Sequence, residues 1–355
     1  MQVNYYNING IVKFALRGSK NFTESLRYSN YLVDYLGEDE LDFTINLNKF
    51  DPNLENCSIL EDNYYVKKNY LYCKKESYKA LKWEIEFNNL ETPHIKVNLN
   101  IKSSLKLKVF YILLEGLLID PLIHYCLSKK SSCLMHASCV DLNNSGLVFV
   151  ARGGAGKTSI STNLIKKGFN FVSDNYTIVK DGKGIGFVEP LNIFTYNVSN
   201  IKNGLKKSKK LELLAKNLIF KLSNGYIKVF TRIKPMDLFN DKIEKETEIK
   251  SIFLIIPKEN LDKIMFSKIS KRELVDHIYF NQKMEFPYFD RYITYYSYLF
   301  SENEVSGHWL KYKNGLYTNL NDGINFYRID VPTKYNKKTF DDILKVVENE
   351  RSPQL

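Results

Sequence analysis

The chain has 355 residues, 44% of them hydrophobic and 26% charged, with 51 Lys and Arg against 40 Asp and Glu. That length and composition exclude a disordered tail and a disulfide-stapled miniature, and suit one long domain or two. The formal charge of +11 admits nucleic acid, anionic lipid or phosphorylated ligands as partners.

The lysines are scattered, however. Their densest cluster, GLKKSKKLELLAK (204–216), is too short for a nucleic-acid stripe and reads as a solvated helix face. Cys57, Cys73, Cys126, Cys133 and Cys139 are odd in number and lack C-x-x-C spacing. They argue against a disulfide framework or a zinc site and fit a reducing cytoplasm. The opening MQVNYYNINGIVK has no basic start followed by an apolar core, so no signal peptide is expected.

In chain order, residues 1–105 predict a β-rich region, with short alternating stretches such as LDFTINL, KWEIEF and HIKVNLNI and one helix around 23–37. A helical pattern follows over 106–128, where Pro121 marks a kink or a junction. The apolar run VFYILLEGLLIDPLIHYCL (109–127) holds Glu115, Asp120 and His124, which suits a buried helix and not a membrane span. Strands are then expected at CLMHASCVDL (133–142) and GLVFVA (146–151), joined by NNSG, with a helix over 158–167 that Gly168 stops. FNFVSD (169–174) predicts a strand ending on an acid, and 175–191 a strand, turn and strand. Helices and long loops are expected over 200–250 and a central strand at SIFLIIP (251–257). The pattern predicts a helical segment over 271–302, a late strand at FYRIDVP (326–332) and a closing helix over 339–351. The boundary between the β-rich region and an α/β domain of 106–355 falls near 105.

The chemistry concentrates in GLVFVARGGAGKTS (146–159), which is close to the phosphate-binding pattern G-x-x-x-x-G-K-[ST]. Such a loop works because consecutive backbone N–H groups curl around a phosphate at a helix N-terminus. Gly153, Gly154 and Gly156 are expected to supply the freedom for that curl. Arg152, Gly153, Gly154, Ala155, Gly156, Lys157, Thr158 and Ser159 would line the site, with Lys157 reaching the terminal phosphates and Thr158 facing Mg²⁺. Ala151 stands where the first glycine belongs. A positive φ there would cost about 1–2 kcal/mol, and a negative φ nothing.

Asp174 ends an apolar strand one helix after the loop, a position from which a carboxylate can hold the metal or accept a proton from an attacking hydroxyl. His136, between Met135 and Ala137, reads in isolation as a core histidine. Glu189 is a weaker candidate at another strand end, and His94, His124, His277 and His308 form no constellation.

Taken together, LMHASCVDL and VFVARGGAGKTSISTNLIKKGFNFVSDNYTIV resemble the C-terminal domain of HPr kinase/phosphorylase and its kinase-like superfamily. That family shows a His-Ala or His-Gly strand, a G-x-x-G-x-G-K-[ST] loop and an Asp-Asp strand end. The resemblance implies an α/β fold of the phosphoenolpyruvate-carboxykinase-like P-loop kinase type, with ATP and Mg²⁺ used to phosphorylate a serine-type hydroxyl of a small molecule or peptide. It further implies that Lys157, Asp174 and His136 are catalytic, that Thr158 and Asp174 face the metal, and that the protein self-assembles. Asn175 replaces the second acid of the family's pair. That departure leaves a second reading open, a nucleotide-binding regulatory or scaffold protein that has lost transfer.

Overall fold

The computed structural model of the chain describes residues 2–18, 26–78, 81–102, 114–194, 207–222, 230–239, 242–333 and 337–349. Nine strands come first: β1 (Gln2–Ile8), β2 (Val12–Gly18), β3 (Leu32–Val33), β4 (Phe43–Leu47), β5 (Ser58–Leu60), β6 (Tyr64–Lys67), β7 (Tyr70–Tyr78), β8 (Leu81–Asn88) and β9 (Ile95–Ile101). A π-helical turn over Glu115–Ile119 leads into α1 (Asp120–Lys129), with Pro121 at the junction of the two. Then come β10 (Cys133–Met135), β11 (Ala137–Asp141), β12 (Gly146–Val150), α2 (Lys157–Lys166), β13 (Asn170–Ser173), β14 (Thr177–Lys180), β15 (Lys183–Gly186) and β16 (Leu191–Phe194). After these come α3 (Lys207–Leu222), β17 (Phe230–Ile233), α4 (Pro235–Phe239), β18 (Glu246–Lys258) and β19 (Met265–Lys268). The chain closes with α5 (Lys271–Glu285), α6 (Pro287–Leu299), α7 (His308–Asn319), β20 (Asn325–Pro332) and α8 (Lys337–Asn349).

The chain divides into two compact units, Met1–Ser132 with Gln282–Gly315, and Cys133–Asn281 with Leu316–Leu355. In the first, the strands order as β3-β1-β2-β4-β9-β8-β7-β6-β5. Alternation explains its core: Trp83, Ile85 and Phe87 of β8 face one way and are buried. α6 covers that face, with Tyr288 5.5 Å from Trp83 and Tyr292 5.3 Å from Phe87. The unit therefore runs on to 132 and takes in 282–315, where the sequence suggested an end near 105. Among the described residues, α1 and the later segment supply helices against the strands' apolar face, with Leu122 and Tyr125 from the one and Phe289 and Tyr292 from the other beside Leu71 and Phe87. Of the helix expected at 23–37, residues 23–25 lie outside the described residues. Ser29–Tyr31 form a single 3₁₀ turn, and β3 pairs Leu32 and Val33 with β1 instead.

In the second unit β12, β18 and β20 run parallel, while β11 lies antiparallel to β12. β18 is the shared strand: Glu246–Glu248 pair with β15, Ser251–Leu254 with both β12 and β20, and Ile255–Lys258 with β20. Ile252, Phe253, Leu254 and Ile255 are accordingly buried, as the run SIFLIIP suggests. α2 and α8 supply Ile160, Leu164, Ile343 and Val347 to a core shared with Phe149, Phe171, Phe253 and Ile329. The architecture is mixed α/β. One surface expectation fails: α3 is not a solvated polar face, because Leu211, Leu214, Leu218 and Leu222 stand exposed on it.

Candidate functional site

Three strand ends meet at one edge of the second unit's sheet. Ala137 pairs with Val150, which sets His136 beside Ala151, and Cys139 pairs with Ser173, which brings Asp174 to the same edge. Strand pairing thus gathers residues that lie 38 positions apart in the chain, from His136 to Asp174.

Between Val150 and α2 the backbone curls through Ala151–Gly156, with the Ala155 N–H donating to Arg152 O at 3.2 Å. Gly154 and Gly156 take φ of +86° and +93°, the left-handed region that side chains resist. A left-handed residue next to right-handed ones turns successive N–H groups into a concavity that binds anions, here at the N-terminus of α2. Gly153 departs from expectation. It does not take a positive φ, and a Cβ there would meet nothing within 4 Å. Ala151 is likewise absent from the left-handed region among the described residues, and its methyl is buried in the unit's core. The strain that alanine threatened does not arise, and the methyl packs.

Lys157 is 7% exposed. Its Nζ donates to Ala151 O at 2.7 Å and lies 3.1 Å from His136 Nε2. An ammonium can only donate, so Nε2 accepts and the imidazole proton sits on Nδ1. The His136 ring leans on Tyr176, 5.6 Å away at 46°. Thr158 Oγ1 donates to Asp174, 2.9 Å from Oδ2 and 3.2 Å from Oδ1.

Asp174 is 6% exposed. Burial pushes its carboxyl up to about 6, against the pull of the Thr158 hydroxyl, the Lys157 charge and the Asn175 N–H. The turn that aims it is held by hydroxyls, since Ser173 Oγ donates to Thr177 Oγ1 at 2.6 Å and Thr177 to Ala137 O at 3.3 Å. Asn175 sits at φ +75°, which asparagine tolerates, and its Nδ2 donates to Glu189 Oε2 at 3.1 Å. A second buried carboxylate, that of Glu189, therefore stands next to Asn175.

The structure brings Lys157, Thr158, Asp174 and His136 together, and seats Ser159 in the first turn of α2. Arg152 is used differently: its Nη1 holds Asn281 of α5 at Oδ1, 3.0 Å, and at the backbone oxygen, 3.3 Å. Asn281 and Tyr176 carried no signal in the sequence, because neither belongs to a spacing pattern. Glu189 was legible only as an acid near a strand end.

Among the described residues no group of three or more His, Cys, Asp or Glu side chains could hold a metal. One hydroxyl and one carboxylate suit Mg²⁺ only when phosphate oxygens complete its shell, as Mg²⁺ prefers. The residues present thus fit a magnesium–nucleotide pair and do not fit a free metal site.

No protein-family model matches the chain. No curated protein matches it either. Among solved structures, the HPr(Ser) kinase/phosphatase from Coxiella burnetii aligns with 61% of this chain and 90% of its own, at 13% identity and a TM-score of 0.29. That is a distant kinase-like likeness, below the level that establishes a shared fold.

Proposed function

We propose that the second unit is a kinase core of the phosphoenolpyruvate-carboxykinase type. It would bind ATP with Mg²⁺ and phosphorylate a serine-type hydroxyl on a small molecule or peptide. The observation that carries this reading is the 2.9 Å contact between Thr158 and Asp174 at the end of a loop bent by Gly154 and Gly156.

The backbone N–H groups of 153–158 would hold the terminal phosphates, and Lys157 would swing from Ala151 O to meet them. Thr158 and Asp174 would face Mg²⁺, which supplies neutralisation of the charge developing on the transferred group. The carboxylate of Asp174 has two oxygens, enough to face the metal and to accept the proton of the attacking hydroxyl. With its pKa near 6 it is ionised, and able to do so, at neutral pH. His136, bonded to Lys157, would fix where that ammonium points.

A second reading is favoured by Asn175, whose amide ties up Glu189 where the family resemblance leads one to expect an acid. On that reading the protein binds nucleotide without transferring phosphate. Incubation with γ-labelled ATP and a small-molecule extract, followed by mass spectrometry, separates the two. Label transfer by the wild type that Lys157→Ala and Asp174→Asn abolish supports the kinase. Tight ATP binding by calorimetry with no labelled product supports the regulator. Lys157→Ala is expected to weaken ATP binding by about a hundredfold or more, as loss of a buried charged hydrogen bond to phosphate would; unchanged affinity removes both readings.

A further inference from the structure

α3 carries most of its apolar residues on the side facing away from its own unit. Leu213 is buried, and Lys216 ties the helix down through Phe230 O at 2.8 Å and Thr231 Oγ1 at 3.1 Å. On the outward side Leu211, Leu214, Leu218, Ile219 and Leu222 are 67%, 63%, 59%, 44% and 76% exposed. Residues three and four apart share a helix face, so these five make one continuous ridge. At 1.5 Å per residue it runs about 16 Å. A single exposed leucine needs no explanation, whereas a contiguous apolar ridge marks a surface that something covers.

The charge on the same helix narrows what that is. Its sequence, KSKKLELLAKNLIFKL, holds five lysines and one glutamate. The glutamate, Glu212, is already held by Lys209 at 2.8 Å and Lys216 at 2.6 Å. The helix is therefore strongly cationic, within a chain of net charge +11.

We infer that α3 is a docking surface for an anionic lipid bilayer, its leucines sinking into the interface while the net positive charge of the helix draws it to the headgroup phosphates. The ridge is convex, and a bilayer yields around a convex helix without a preformed groove. Its charge complements acidic headgroups and works against a second copy of α3, which would bring lysines against lysines. Among the described residues no helix is long and apolar enough to cross a membrane.

The test is sedimentation of the full chain with vesicles of phosphatidylcholine alone and of phosphatidylcholine mixed with phosphatidylglycerol. Partition onto the mixed vesicles is expected to exceed that onto neutral ones by about tenfold or more, and to fall with added salt. The double substitution Leu214→Glu with Leu218→Glu changes only exposed positions. It is expected to abolish the difference while leaving the thermal melt and the ATP affinity unchanged, which separates this inference from the proposed activity. Equal partition onto both vesicles, no binding to either, or undiminished binding by the double variant each overturns it. So does a concentration-dependent dimer, seen by ultracentrifugation, that the double variant dissolves while vesicle binding is absent.

Discussion

Glu84 in the first unit and Asp174 in the second are both buried carboxylates, yet their surroundings push them in opposite directions. At Glu84 burial works against ionisation, but hydrogen bonds from Lys102, Asn100 and Tyr72 and the Lys102 charge outweigh it and hold the carboxyl below its usual value. At Asp174 burial wins, because one threonine hydroxyl, a lysine charge and one N–H are too little to offset it. The first carboxylate is saturated by neighbours across the sheet, Asn100 at 2.5 Å, Lys102 at 2.7 Å and Tyr72 at 3.1 Å. The second is held by few partners at a strand end, where an incoming cation or hydroxyl would relieve it. A buried acid that its own fold satisfies is structural, and one that its fold leaves costly is available for chemistry.

The sharpest way to break this contrast lies in the first unit. Arg27 is bonded to Asp120, which also accepts from Tyr28, in a pair that is nearly dry. Asp120→Asn would remove the buried carboxylate that Arg27 and Tyr28 share and is expected to cost about 3–5 kcal/mol, read from urea unfolding. ATP affinity of the folded fraction should not change. A loss of affinity without a loss of stability would mean that the first unit's charges are functional after all.

Asp174→Asn should do the reverse. Turnover is expected to drop by about a hundredfold or more while nucleotide binding persists, measured by single-turnover transfer and calorimetry. The sign of its stability effect follows from linkage. The folded carboxyl titrates near 6, above its ordinary 3.8, so the stability tied to its proton is complete below 3.8 and is lost as pH rises through 6. Above pH 6 the asparagine variant should therefore melt at a higher temperature than the wild type. A lower melting temperature at pH 7.5 would show that the carboxylate is a structural anchor.

The smallest expected effect concerns the first unit's buried histidines. His308 lies fully buried against His124, ring centroids 5.0 Å apart, among Phe289, Trp309 and Tyr125. Burial, and then the Lys311 charge, lowers it to about 3. A depressed folded pKa contributes stability present above 6.5 and lost as pH falls through 3. His308→Phe should flatten the acid limb of the melting curve between those values. An unchanged limb would assign acid lability elsewhere.

Much of this was legible from local pattern. Alternation marked β4, β8 and β9, the apolar run marked β18, and the Gly-Lys-Thr spacing marked the start of α2. Local pattern overestimated Gly153, because the number of glycines in a loop does not say which of them turns left-handed. It also misjudged α3, since a lysine-rich stretch reads as solvated until its leucines are found on the outer face.

The sequence by itself determined the main strands and helices from 81 to 102 and from 133 to 191, the strand at 251–257 and the phosphate-loop pattern, because periodicity and the needs of a tight turn act over a few neighbouring residues. Only the tertiary structure decided that Ala151 packs without strain, that His136, Lys157 and Asp174 meet at one sheet edge, that Arg152 is spent on Asn281, and that residues 282–315 complete the first unit. Those outcomes depend on strand register and on burial. Both are set by contacts between residues far apart in the chain, and no short window of sequence contains them.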